Sequence, residues 1–140
     1  MSTTISLNPS NGIATLTNTA RSFDLVAMPE SLDGNTVSTV RINPAAALGS
    51  PQKLLVSHQY VKAKAADGIG VDRHVVRFDQ TAAANGTLPE VTMSVYLNII
   101  VPRAGFTTAE VKDGVGLVVD FINDLTVLGK LLLNNPIAEA

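Results

Sequence analysis

Between Glu90 and Phe121 the apolar pattern of this chain changes period once, and that change limits the folds open to it. Val91, Met93, Val95, Leu97, Ile99 and Val101 alternate with Thr92, Ser94, Tyr96, Asn98 and Ile100. This is the two-residue period of a strand with one apolar and one mostly polar face. After Pro102, Val111, Val115, Val118, Val119 and Ile122 recur at steps of three and four, as an amphipathic helix requires. Thr107 with Glu110 three residues on makes a capping box for that helix, and Phe106 before the cap is placed to staple onto Val111. A long strand therefore feeds a helix near the C-terminus, and the strand needs a core on one side only.

Upstream, strand patterns alternate with turn chemistry. Thr4-Ile5-Ser6-Leu7 and Ile13-Ala14-Thr15-Leu16-Thr17 flank the turn-rich Asn8-Pro9-Ser10-Asn11-Gly12, which predicts a small hairpin. Further strands are expected at Ser22 to Met28, at the β-branched Thr36 to Ile42, at Lys53 to Lys62 and at Val71 to Gln80. In the connector from Asn43 to Pro51, Ala45-Ala46-Ala47 has the composition for a single helical turn but is too short to stand alone. The polar, small-residue stretch Thr81 to Pro89 is a loop of the kind that carries contacts rather than packing. Asp124 starts a second helix through Leu125, Leu128, Leu131, Leu132 and Leu133, stopped by Asn134-Asn135-Pro136. About seven strands followed by two helices is an α+β order. Residues 1–20 are expected as the hairpin, 21–101 as the sheet and 107–134 as the helices. Two short helices cover only part of such a sheet, so a partner subunit is expected to complete the core.

The 140 residues fit one domain. With 46% hydrophobic and 16% charged residues the chain lies outside the disordered class. It has no cysteine, so disulfides, thiolate metal sites and cysteine nucleophiles are excluded. A net charge of −2 gives no global case for nucleic acid, and any such site must be a local patch. The N-terminus lacks the basic start and apolar core of a signal peptide, and no apolar run reaches the roughly 18 residues of a membrane span. A soluble protein that stays where it is made is expected, with no membrane partner.

The chemistry-bearing residues fall on strands. Tyr96 offers a flat π surface for an unpaired base, and Lys53, Arg73 and Arg77 can neutralise phosphates. Against this, Arg73 with Asp72 and Arg77 with Asp79 read equally as surface ion pairs of small energy. His58 and His74 share faces with Val56, Tyr60, Val76 and Phe78, and each reads as a partly buried core histidine. A metal site would need three or four convergent ligands. Gly68-Ile69-Gly70 and Gly114-Val115-Gly116 lack the lysine and the strand-to-helix setting of a phosphate loop. The two helical glycines suggest a close approach to another element. No serine, histidine and carboxylate order stands out as catalytic, and no cofactor or small-molecule substrate is indicated.

The element order resembles that of the coat proteins of small single-stranded RNA bacteriophages, the levivirus group. The residues carrying the likeness are Ser-Val-Tyr-Leu-Asn-Ile-Ile-Val-Pro at Ser94 to Pro102 and Glu-Val-Lys-Asp at Glu110 to Asp113. The resemblance implies a homodimer in which two five-stranded antiparallel sheets join and the two C-terminal helices of each subunit interlock with the other. It further implies an icosahedral (T=3) capsid, assembled in the bacterial host cytoplasm, whose inner sheet face meets genomic RNA. In that group an RNA stem-loop on this face represses replicase translation. Carried over position by position, the RNA-binding residues are Tyr96 and Asn98 on the long strand, Lys53, Leu55, Ser57 and Gln59 on the fifth strand, and Val75 and Arg77 on the sixth; the cation Arg73 joins them from the reading of the residues alone. Leu55 and Val75 stand where relatives that bind a bulged adenine present hydroxyls, and Ile100 stands where an acidic residue is common. An aliphatic side chain does not supply the lost hydrogen bond. The loop Thr81 to Pro89 would be where subunits meet around symmetry axes.

Two other classes fit the residues alone. One is a dimeric α+β module binding a small ligand or peptide on the same sheet face. The other is an enzyme with His58 or His74 as acid-base.

Overall fold

The computed structural model describes residues 4–7, 20–26, 35–63 and 68–123. The second arm of the expected hairpin, Ile13 to Thr17, and the second helix from Asp124 lie outside them. Six strands form one antiparallel sheet in sequence order: β1 (Thr4–Leu7), β2 (Arg21–Leu25), β3 (Thr36–Ile42), β4 (Gln52–Val61), β5 (Val71–Ala82) and β6 (Val91–Pro102). The five strands expected after residue 20 are β2 to β6. Thr4–Leu7 pairs with β2, Thr4 opposite Asp24 and Leu7 opposite Arg21, so it extends the main sheet. A Thr4 hydroxyl donating to Asp24 at 2.8 Å ties that edge.

The connector after β3 makes turns, not the helical turn that its alanines suggested. Asn43 accepts from the Ala45 amide through its side chain at 2.9 Å and from the Ala46 amide through its carbonyl at 3.2 Å. A local asparagine acceptor outcompetes a nucleus of three alanines. At the β5–β6 hairpin, Asn85 and Leu88 form an isolated bridge that closes the tip.

Opposed residues of an antiparallel ladder share a face, and the register divides the two faces cleanly. Leu54, Val56, His58 and Tyr60 of β4 lie opposite Phe78, Val76, His74 and Asp72 of β5. Those in turn oppose Val95, Leu97, Ile99 and Val101 of β6. Phe23 and Leu54 are the buried apolar residues of the described chain, and the Phe23 ring meets Phe78 edge to face at 6.2 Å. Thr39 and Arg41 are buried on this face too, with Arg41 donating to Thr39 at 3.0 Å. Along β6 the same face is open: Val91, Met93 and Val95 are each more than half exposed.

One end of the three long strands is locked by a small cluster. Arg103 donates twice to Asp72, at 2.9 and 2.8 Å, and its guanidinium lies 3.8 Å over the Tyr60 ring. The Tyr60 ring is packed so closely on buried Gly70 that a β-carbon there would come within 2.6 Å of it.

The helix α1 (Thr108–Asn123) belongs to a second compact unit. Its capping box forms as expected. The Thr107 hydroxyl and amide donate to Glu110 at 2.8 and 2.7 Å, and the Glu110 amide donates back to Thr107 Oγ1 at 3.3 Å. The Thr107 backbone bond, then its side chain, hold the Glu110 carboxyl below the usual range. No residue of α1 is buried: Leu117, Val118, Val119 and Phe121 are all largely exposed, as is Phe106 before it. Gly114 and Gly116 meet nothing within 4 Å, so the close approach their presence suggested is not made within the described chain.

Candidate nucleic-acid interface

All nine residues proposed from the sequence stand on the second face of the sheet. Three rows run across β4, β5 and β6: Gln59, Arg73 and Ile100; Ser57, Val75 and Asn98; Leu55, Arg77 and Tyr96. A fourth row places Lys53 beside Asp79 and Ser94. Strand β3 extends these rows with Thr36, Ser38, Val40 and Ile42. With strands about 4.8 Å apart and alternate residues about 6.7 Å apart, the platform measures roughly 14 by 20 Å.

Within it, Arg73, Val75, Arg77, Tyr96 and Asn98 line an open pocket of about 260 Å³. Tyr96 is 67% exposed, because its strand places it on the polar parity and no described side chain folds over it. The β4 residues Lys53, Leu55, Ser57 and Gln59 lie one strand further over and do not line the pocket.

The two arginines differ. Arg77 donates Nε–H to Asp79 at 2.7 Å and reaches Ser94 through Nη2 at 3.4 Å. Ser94 in turn donates to Asp79 at 2.6 Å. The Asp79 carboxyl is held below the ordinary range first by Ser94, with Arg77 and then Lys53 adding to that effect against an opposing contribution from burial. The ion pair suggested for Arg77 is therefore formed. The pair suggested for Arg73 is not, since neighbouring strand residues point to opposite faces and Arg103 takes Asp72. Arg73 keeps its charge on the pocket side, and its buried Nε has no hydrogen-bond partner among the described residues. Strand parity was the sequence signal that could have excluded Arg73 with Asp72. Ser94 was missed as a member of the Asp79 group, and only the β5–β6 register reveals it.

His58 and His74 stand on the other face, opposite each other. In the described chain His58 is exposed and His74 half-buried, so the expected partial burial is met at His74 and not at His58, because nothing described covers that end of the face. No three histidine, cysteine, aspartate or glutamate side chains come together among the described residues.

No family model matches the chain, and no curated protein does. Among solved structures, the virus-like particle of bacteriophage ESE058 aligns with 93% of this chain and 94% of its own, at a TM-score of 0.61 and 13% identity. This chain shares that fold. The virus-like particle of Wenzhou levi-like virus 4 is also similar, over 81% of this chain and 84% of its own, at a TM-score of 0.48 and 18% identity. The resemblance drawn from residues 94–113 thus holds at the level of the fold. No described helix is long and apolar enough to cross a membrane.

Chemically, the platform combines an exposed aromatic ring, an amide, hydroxyls and cations around a shallow recess. A ring that stacks on any base, together with side chains that meet phosphates, suits unpaired RNA better than a helical duplex, whose bases are not presented.

Proposed function

We propose that this chain is the coat subunit of a small RNA bacteriophage, a structural protein that dimerises, assembles into an icosahedral shell and binds genomic RNA on the Tyr96 face. The observation that carries this reading is unmet burial on two apolar surfaces. Val91, Met93 and Val95 on the sheet and Val118, Val119 and Ile122 on α1 are all substantially exposed. Surfaces of this kind mark an interface. The edge strand β6 supports the same conclusion, because its twelve residues present an outer backbone edge that a soluble sheet normally protects. In the dimer, β6 pairs with its copy to make one continuous sheet, and α1 of each subunit covers the apolar face of the other. The fold shared with a virus-like particle supports assembly beyond the dimer, in the virion, from subunits made in the host cytoplasm.

The polar face is then left free for RNA. A stem-loop presenting unpaired bases is the form that suits the platform, with Tyr96 stacking, Asn98 reading a base edge and Arg73 meeting the backbone. Where such a stem-loop lies at the replicase start, its binding represses translation. Many copies in a shell compensate for the few cations of each subunit.

Gel filtration of the expressed protein, read at 260 and 280 nm and followed by nuclease digestion, tests this. A particle near the void volume with nuclease-protected RNA is expected. A small monomer without protected RNA overturns the reading, and a small RNA-free dimer favours the ligand-binding module instead.

A further inference from the structure

On the apolar face one pair of side chains is unlike its surroundings. His58 and His74 oppose each other across β4 and β5, flanked in the same row by Val37 of β3 and Ile99 of β6. The adjacent row is Thr39, Val56, Val76 and Leu97. The two rings meet at 67° with centroids 5.0 Å apart, and their Nδ1 atoms are 2.8 Å apart. That contact is a hydrogen bond only when one Nδ1 carries a hydrogen and the other offers its lone pair. The neutral pair satisfies this condition, and so does the pair with one added proton. A second added proton sets two N–H groups against each other and two like charges directly opposite on neighbouring strands.

Among the described sheet residues nothing nearby balances that second charge. Tyr60 and Asp72 form the next row on this face, and Asp72 is already engaged by Arg103, which also lies over Tyr60. Lys62 lies just past the end of β4, and Arg41 on β3 and Arg21 on β2 are further cations on this face. Val37 and Ile99 bring no charge. Among the described sheet residues, every charge on this face outside the Arg103–Asp72 pair is therefore positive.

We propose that the His58–His74 pair is a proton-operated release for the coat, weakening the subunit interface in mild acid. This rests on the reading that a second copy covers this face. Covering the pair removes water from it and supplies no counter-charge from the sheet, so the doubly protonated form is disfavoured in the assembly. The sign follows by linkage: the dissociated subunit binds more protons than the associated one, so the interface is strongest above the range in which imidazoles titrate and weakens as pH falls through it.

The test uses the full chain with His58→Gln, His74→Gln and the double variant, in chelator-containing buffer from pH 7.5 to 5.0. In wild type the dimer Kd, measured by sedimentation velocity, is expected to rise about tenfold per pH unit for each proton taken up on dissociation. The single variants should flatten that slope, and the double variant should abolish it. A wild-type Kd constant over this range overturns the proposal, as does a double variant with the full slope. Long-range ¹⁵N spectra of the histidines at pH 7.5 should show one ring protonated at Nδ1 and the other at Nε2, and two rings both protonated only at Nε2 overturn the pair. If the chain is monomeric at pH 7.5 the coat reading fails by itself. The pair is then judged by thermal unfolding, where a Tm that falls in acid for wild type but not for the double variant supports it, and equal pH dependence overturns it.

Discussion

Arg77 gives its Nε–H to Asp79, two residues along the same strand face, at 2.7 Å, while Arg73, four residues the other way, has no carboxylate partner among the described residues. Two arginines on one platform are thereby divided into one that is held and one that is available. Asp79→Asn removes the anion that holds Arg77. RNA affinity should then rise, and the slope of log K against log salt should steepen by about 0.7–0.9, one more phosphate contact. Arg73→Ala should make the slope shallower by a similar amount. Fluorescence anisotropy with a short RNA hairpin between low and moderate salt measures both. Because the Asp79 carboxyl titrates below the usual range in the folded chain, the Arg77 pair is intact at neutral pH and is lost only as pH falls through that depressed value. Acid should therefore mimic Asp79→Asn only well below neutrality.

Tyr96 opposes Arg77 across the β5–β6 ladder and is open to solvent. Tyr96→Ala should weaken RNA binding by about 1–3 kcal/mol for each base it stacks, and Tyr96→Phe should retain most of the affinity. Equal losses in both variants would assign the contribution to the hydroxyl and remove stacking from the account. Thermal melts run alongside should be unchanged, since an exposed strand residue contributes little to the core.

On α1 the stripe Val111, Val115, Val118, Val119 and Ile122 faces opposite to Asp113 and Asp120. Val118→Asp places a charge in the middle of the stripe, where covering it leaves an unpaired buried ion. Particles should be lost and the sedimenting species should be a monomer with near-native circular dichroism. Asp113→Ala, on the other side of the helix, should assemble normally. Assembly of Val118→Asp would show that this stripe is not the interface.

Gly70 is the residue on which the Tyr60 ring rests. A β-carbon in Gly70→Ala would lie 2.6 Å from that ring, so Tyr60 must move and its stacking with Arg103 is disturbed. A loss of about 1–3 kcal/mol is expected, as for other overpacked sites, read as a lower Tm or denaturation midpoint. Ala at Gly86, which meets nothing within 4 Å, should be close to neutral.

The local pattern of β6, its two-faced character and the capping box at Thr107 were set by sequence alone, because period and capping depend on residues within one turn or one strand. So was the grouping of Arg73, Val75 and Arg77, which strand parity puts on one face whatever their partners. Register was not so determined. Placing Tyr96 opposite Arg77, Asn98 opposite Val75 and Ser94 opposite Asp79 depends on how two strands align, and one residue of slip would move every side chain to the other face. The partner of Asp72 was equally hidden, since Arg103 lies 31 residues away and only folding brings it near. The same holds for β1: its alternation marked it as a strand, but tertiary pairing decided that β2 would receive it. Hydrophobic period fixes which side chains share a face, and the packing of distant strands fixes which of them meet.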